Sequence, residues 1–261
     1  MSELALVADD GGVRTITLNR PERRNALNVA LLEALRAAVA DAAADASVRA
    51  VVLAAAGKGF CAGADVTEWS EAVDGGDDTG IRWERNAHAL MQEVHDLPKP
   101  TVAVLQGAAV GAGLDLACAC DFRVASEDAV FFCAYTWVGY NPDAGGTWFY
   151  PRLMGLEAAK RFVYTGERWD AATAKQRGLV SEVVAPDELQ AAGARLAAEL
   201  GSGPSVAVGL AKTLLQTAGT RTLAEQLEAE KAAGKVCAET DDHKEALAAF
   251  AEKRSPVFRG R

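Results

Sequence analysis

The chain has 261 residues, a formal net charge of −9, 24% charged residues and 50% hydrophobic residues. This composition is typical of a folded globular protein with a sizeable core and excludes a disordered chain. Because the net negative charge offers no general attraction for nucleic acid or an anionic membrane, we expect neither as a partner, and a polyanionic ligand would need local positive charge.

The first 12 residues, MSELALVADDGG, lack the basic start and apolar run of a signal peptide, which predicts a cytoplasmic protein. The five cysteines are an odd number without a CxxC pair, so we expect neither a disulfide framework nor a zinc site. The apolar stretch at 101–120 is nearly as long as a membrane span, but Gln106, Asp115 and its glycines favour a buried strand followed by a buried helix.

Predicted strands and helices alternate in the first part of the chain. LALVADDGGVRTITLNR at 4–20 has a hairpin pattern, and the helical spacing of ALNVALLEALRAAVADAAAD is opened by Asn25 or Asn28 as the N-cap. A strand (RAVVLAA), a glycine-rich loop (GKGFCAGAD) and a second helix (ERNAHALMQEVHDL) follow. Strand TVAVLQ, a small-residue helix from Gly111, and strands DFRVAS and AVFFC come next. This alternation indicates the α/β class with crossover connections.

From about residue 186 the sequence predicts only helices, punctuated at Gly201, Pro204, Gly219 and Thr240. We therefore divide the chain into a core at 1–200 and a helical C-terminal region at 201–261. The amphipathic faces of that region predict contact with a neighbouring subunit.

Two glycine-rich loops, at 57–65 and 107–115, each follow a buried strand and end at a carboxylate. Neither has the glycine spacing of a P-loop or of a dinucleotide-binding fold. Small residues also allow backbone N–H groups to approach a ligand, so the two loops could together aim two donors at one carbonyl oxygen as an oxyanion hole. The alternative for each loop is close packing alone.

Three segments resemble the signature segments of the crotonase superfamily, the enoyl-CoA hydratase/isomerase family: FCAGAD at 60–65, LQGAAVGAG at 105–113 and PDAGGTWFYPRLMG at 142–155. LNRPERRNAL, TGERWDAATAKQRGLVSEVV and FAEKRSPVF extend the resemblance over essentially the whole chain. It implies a crotonase-like spiral of ββα repeats with a helical C-terminal region that covers coenzyme A (CoA) and assembles a homotrimer or a hexamer. It also implies an acyl-CoA thioester substrate, with no permanently bound cofactor and no metal.

The resemblance also assigns binding residues. The oxyanion donors would be the backbone N–H groups of Ala64 and Ala112. The positions that would contact CoA are Arg23, Arg24, Ala62, Asp65 and Val66, with Lys253 as a phosphate contact from the C-terminal region.

The positions of the carboxylates distinguish the hydratases of this family from its isomerases. The two water-activating glutamates of its hydratases fall on Asp115, a shorter acid, and on Tyr135, which has no carboxylate. Asp143 falls where several double-bond isomerases carry a catalytic aspartate, and PDAGGTW resembles the branch of the phenylacetate-pathway epoxide isomerases. We therefore expect an acyl-CoA isomerase that uses Asp143 as its proton shuttle.

Alternatives to this isomerase hypothesis remain open. The chain could be a hydratase or hydrolase in which Asp115 and Asp143 position water, or an acyl-CoA-binding protein with little catalysis. Asp143 could instead be a helix N-cap, and Asp115 could be purely structural. Tyr135 and Trp137 are candidate substrate contacts.

Other aromatic residues and the histidines have simpler readings. Trp69, Trp83 and Trp148 could, with Trp137, shape an aromatic acyl pocket or belong to the core. For His88, His95 and His243 we expect surface or packing roles.

Overall fold

The computed structural model describes residues 3–68 and 78–261, and Trp69 lies outside them. Six strands form the larger sheet: β1 (Ala5–Asp10), β2 (Val13–Leu18), β3 (Ala50–Ala55), β4 (Thr101–Leu105), β6 (Phe122–Ser126) and β9 (Glu182–Val184), in the order β1-β2-β3-β4-β6-β9. A smaller sheet has the order β5-β7-β8, formed by β5 (Ala108–Val110), β7 (Val130–Phe132) and β8 (Arg168–Asp170).

The predicted hairpin is confirmed. β1 and β2 are antiparallel, with Asp10 opposite Val13, and both turn glycines, Gly11 and Gly12, have positive φ angles of 55° and 86°. Glycine adopts this backbone region without a steric penalty. From β2 to β9 the larger sheet is parallel, so each connection must cross over, and the sequence provides helices for this purpose.

The predicted helices are present in the predicted order, and three further helices lie between residues 146 and 176. Their bounds are α1 (Val29–Ala44), α2 (Thr79–Asp96), α3 (Ala112–Ala119), α4 (Gly146–Met154), α5 (Leu156–Thr165), α6 (Ala171–Gln176), α7 (Leu189–Gly201), α8 (Ser205–Thr217), α9 (Leu223–Glu239) and α10 (Asp241–Glu252). Of the two proposed N-caps, Asn28 caps α1, because its side chain accepts a hydrogen bond from the Leu31 N–H.

The central strands β3 and β4 of the larger sheet are buried on both faces. Alternate residues of β3 divide between two cores: Val51 and Leu53 face the large core with α1 and α2, whereas Val52 faces a smaller core closed by α7. The sequence of β3 is therefore apolar throughout and does not alternate between polar and apolar residues.

The C-terminal region is helical, as expected, and the last described strand ends at Val184. α8 is fixed to the core by Lys212, whose buried ammonium donates to the Asp121 carboxylate at 2.9 Å and to the Lys99 carbonyl at 3.2 Å. The α/β class with a helical C-terminal region is confirmed. In the two described ranges, no helix has the length and apolarity needed to cross a membrane.

Candidate active site

The two glycine-rich loops lie side by side. The Cys61 N–H donates to the Ala108 carbonyl at 3.1 Å, and the Val110 N–H donates back to the Cys61 carbonyl at 2.9 Å. These bonds place Cys61 and Ala109 in register as a parallel bridge. Ala64 lies three residues after Cys61, and Ala112 lies three residues after Ala109. Because the bridge is parallel, both predicted oxyanion donors lie beyond the same end of it.

Both predicted donors are available. Among the described residues, neither the Ala64 N–H nor the Ala112 N–H is paired with an acceptor. Ala112 is the first residue of α3, where an N–H has no partner within the helix and the helix dipole favours a negative charge. The arrangement suits a ligand oxygen that becomes negatively charged.

Gly63 permits the close approach of the two loops. Its φ is 92°, and a Cβ there would lie 2.9 Å from the Val110 carbonyl oxygen and 3.7 Å from the Ala112 nitrogen. A larger residue would be strained and would push the loops apart.

The predicted CoA segment borders a cavity of about 580 Å³, which we call the Arg24 groove. Its lining residues are Pro21, Arg24, Asn25, Ala56, Gly57, Lys58, Gly59, Ala62, Ala108 and Val110. Asn25 holds the segment in place, because its buried amide donates to the carbonyls of Ala56, Gly59 and Phe60. Lys58 is a second cation at the groove that the sequence argument did not select.

The other predicted CoA contacts differ in their surroundings. Arg23 and Val66 are exposed, whereas Asp65 is buried and forms an ion pair with Arg20 at 2.6 Å. Burial acts to raise the pKa of Asp65, but the hydrogen bond and charge of Arg20 outweigh it and hold the pKa below its usual value. Lys253 is exposed just beyond α10, and no contact among the described residues connects it to the Arg24 groove.

Asp115 is fully buried on α3, and both of its oxygens are engaged. The Tyr135 hydroxyl donates to Oδ2 at 2.6 Å, the Tyr150 hydroxyl donates to Oδ1, and the Gly146 N–H also bonds to the carboxyl. Burial raises the pKa of Asp115 to about 7, against the lowering effect of the tyrosine hydrogen bonds. The carboxyl is therefore partly protonated near neutral pH.

Asp143 is half-buried in the loop before α4. It is not the N-cap of that helix, so this alternative is wrong: the cap is Gly145, and no side chain caps the helix. Burial raises the pKa of Asp143, while His88 and a hydrogen bond with Tyr135 act to lower it. The Tyr135 hydroxyl therefore faces both carboxyls.

A cavity of about 650 Å³ opens beside Asp143, between α2, the start of α4 and α8. We call it the Asp143 cavity. Trp148 and His95 lie edge to face on its wall, with ring centroids 4.9 Å apart, and Phe149 packs against both. Burial lowers the pKa of His95, which keeps this wall uncharged near neutral pH.

The predicted tryptophans divide among three environments. Trp148 lines the Asp143 cavity, whereas Trp83 is buried in the core and its indole donates to the Leu27 carbonyl at 2.6 Å. Trp137 is 68% exposed and packs against Phe132 and the Gly166 turn.

Sequence reasoning missed two residues that form hydrogen bonds with the candidate aspartates. Tyr150 bonds directly to Asp115, and His88, for which we expected only a surface or packing role, donates from Nε2 to the Asp143 main-chain carbonyl at 2.6 Å. No local pattern selects Tyr150, since it contacts Asp115 from 35 residues along the chain. Cys61, between the two glycine-rich loops, is completely buried, which raises the pKa of its thiol to about 12.

Comparisons with known proteins agree over the whole chain. The profile of the family "Enoyl-CoA hydratase/isomerase" matches residues 8–261. The 1,2-epoxyphenylacetyl-CoA isomerase of Escherichia coli is 35% identical over 100% of both chains. The enoyl-CoA hydratase domain-containing protein 2 of Mus musculus is 37% identical, over 98% of this chain and 88% of that protein.

Solved structures give the same result for the fold. The crystal structure of an enoyl-CoA hydratase from Bacillus anthracis superposes with a TM-score of 0.92 at 36% identity, covering 99% of this chain and 100% of that one. The crotonase-like fold expected from the sequence is therefore confirmed.

Proposed function

Because the chain belongs to the enoyl-CoA hydratase/isomerase family, which acts on CoA thioesters, we propose that it isomerises an acyl-CoA through a thioester enolate. Asp143 moves the proton in this reaction. The relative named as an isomerase supports this proposal. The relative named for its enoyl-CoA hydratase domain supports the main alternative, a hydratase.

The observation that carries the proposal is the contrast between the two candidate carboxyls. Asp143 borders a cavity, whereas Asp115 is fully buried and both of its oxygens already hold hydrogen bonds. Adding water through two carboxylates needs both to reach the water. Of the two candidate carboxyls only Asp143 borders the cavity, so the pair is better suited to taking a proton from the substrate and returning it than to adding water.

The proposed reaction conserves protons and charge. An oxygen of ionised Asp143 takes a proton from the carbon beside the thioester carbonyl, and the C–H electron pair moves into the carbonyl to form an enolate. Protonated Asp143 then returns the proton to a different carbon of the conjugated system, which shifts the double bond. The carboxylate is regenerated at the end.

The backbone supplies the charge stabilisation that this reaction needs. The N–H groups of Ala64 and Ala112 would donate to the thioester oxygen as it becomes an enolate, and each such donor contributes on the order of 3 kcal/mol. The Arg24 groove would hold CoA, with Arg24 and Lys58 as the cations for its phosphates. Local cations serve an acidic protein because distant charges are screened within about 8–10 Å.

We propose that the acyl group is aromatic and lies in the Asp143 cavity. Trp148, Phe149 and uncharged His95 give that cavity an aromatic wall. Aromatic pairs add about 0.5–1.5 kcal/mol to the energy of burial, so kcat/KM should be about 2- to 13-fold higher for a phenyl-substituted 3-enoyl-CoA than for an aliphatic one.

Isotope tracing tests the reaction class. The two 3-enoyl-CoA esters and 1,2-epoxyphenylacetyl-CoA are incubated with the protein in deuterated water and in ¹⁸O-water, and the products are analysed by mass spectrometry. We expect a rearranged product that contains no solvent oxygen, and that contains solvent deuterium only to the extent that protonated Asp143 exchanges its proton with water before returning it. Incorporation of ¹⁸O would establish the hydratase, and binding of the esters without any product would establish a binding protein.

A further inference from the structure

Asp115 and Tyr135 are connected to Asp143, the proton carrier of the isomerase reaction above, but that reaction uses neither of them. The Tyr135 hydroxyl lies 2.6 Å from Asp115 Oδ2, and a hydrogen bond with Tyr135 also acts to lower the pKa of Asp143. A hydroxyl has one proton to donate and can accept from another group. Tyr135 therefore cannot donate fully to both carboxyls at once.

We propose that Asp115 works as a neutral carboxylic acid that donates to Tyr135, so that Tyr135 in turn donates to ionised Asp143. Asp115 is then a positioning residue, because it acts on Asp143 through Tyr135 and does not contact the substrate. This inference rests on the proposed isomerase function and adds the protonation state of Asp115.

The surroundings of Asp115 favour this protonation state. Its carboxyl is fully buried, and a charge without a cationic partner is costly to bury. The titratable groups that face it are Tyr135, Tyr150, Asp143, Cys118 and Cys133. None of these described groups is a cation. Two carboxyls that share one site seldom ionise together, and the more buried one keeps the proton.

Asp143 is the better candidate for the ionised member. The groups that face it are Tyr135, Glu84 and His88, and it is only half-buried beside its cavity. The neutral Asp115 still satisfies Tyr150, whose hydroxyl donates to Oδ1, while the acid proton occupies the contact between Oδ2 and Tyr135. Each described hydrogen bond of the cluster is retained.

The arrangement limits the negative charge during the reaction. One charge starts on Asp143 and moves to the enolate, and neutral Asp115 adds no second charge in this poorly solvated site. Ionisation of Asp115 would add that charge and would turn the Tyr135 donor away from Asp143. Since burial raises the pKa of Asp115 to about 7, kcat should fall as the pH rises through this value.

The test is the pH profile of kcat for Asp115→Asn, with Tyr150→Phe and the exposed Tyr164→Phe as a matched control. Asparagine keeps one donor and one acceptor but cannot ionise, so kcat should drop by less than about tenfold and should no longer fall at high pH. Tyr150→Phe removes a bond that lowers the pKa of Asp115, so its decline in kcat should move to higher pH. Tyr164→Phe should retain the wild-type profile.

Two results would overturn the proposal. One is a loss of kcat in Asp115→Asn as large as that in Asp143→Asn, which would mean that the Asp115 carboxylate itself is needed. The other is an unchanged decline at high pH in Asp115→Asn, which would assign the titration to another group.

A measurement without substrate separates this proposal from the function. In ¹³C-aspartate-labelled free protein, the Asp115 carboxyl resonance is the one that is missing from Asp115→Asn. It should titrate near pH 7 in the wild type, and its pKa should be higher in Tyr150→Phe. A titration near the ordinary aspartate value of 3.8 would overturn the Asp115 proposal even if the enzyme is an isomerase. If no ester is isomerised, the function is wrong and this titration still decides the state of Asp115.

Discussion

At the scale of single residues, the protonation of Asp115 connects the site to the stability of the fold. Its pKa rises from 3.8 to about 7 in the folded protein, so the native state binds this proton more tightly than the unfolded chain. The resulting stabilisation is complete below about pH 4 and is lost as the pH rises through about 7. Asp115 thus makes the protein less stable in mildly alkaline solution.

Asp115→Asn should remove this pH dependence. We expect the melting temperature of the variant, relative to wild type, to rise between about pH 5 and about pH 8, as measured by calorimetry in matched buffers. Asp170→Asn is the control, because hydrogen bonds from Thr173 lower the pKa of Asp170, which is therefore ionised in both the folded and the unfolded protein over this range, so its relative melting temperature should not change with pH. A relative melting temperature of Asp115→Asn that does not change with pH would show that Asp115 has an ordinary pKa.

The sequence indicated Asp143 but not the reason for the glycine pair after it. Asp143 does not cap α4, which begins at Gly146. The backbone of Gly146 packs directly against the Asp115 carboxyl: a Cβ at Gly146 would lie 2.5 Å from Asp115 Oδ1, so a larger residue does not fit. Such contacts join residues far apart in the chain, so no local spacing reveals them. The contact of Tyr150 with Asp115 could not be predicted for the same reason, since the two residues are 35 positions apart.

At the scale of elements, strong periodicity gave the correct result where the segments were long. The hairpin, the parallel strands β3, β4 and β6 and the helices α1, α2 and α3 all appeared where the pattern predicted them. The three-residue strands β5, β8 and β9 were missed, because three residues are too few to show an alternation. The predicted 107–115 loop therefore contains β5, which holds the two glycine-rich loops together.

At the scale of the whole molecule, the C-terminal helices expose more apolar surface than a terminal region normally leaves in water. Leu223 is 75% exposed and Phe250 86%, and Leu215, Leu227 and Leu247 are also exposed. Patches of this kind mark interaction surfaces in globular proteins. We propose that they pack between subunits in a homotrimer or hexamer.

Sedimentation velocity tests this assembly. Wild-type protein at micromolar concentration should sediment as a trimer or hexamer, and Phe250→Glu should shift the distribution toward smaller species because it buries a charge in the interface. Lys231→Glu changes charge on a helix of the same region and serves as a control. A wild-type monomer would contradict the proposed assembly.

The central claim is that Asp143 moves the proton, and kcat of Asp143→Asn on an ester that the wild type isomerises tests it most directly. Asparagine fills the same volume but cannot carry the proton, so we predict a fall in kcat of about 100- to 10,000-fold. The melting temperature, and its increase on adding CoA, should remain close to wild type. Full activity in Asp143→Asn would contradict the account and remove Asp143 from the chemistry.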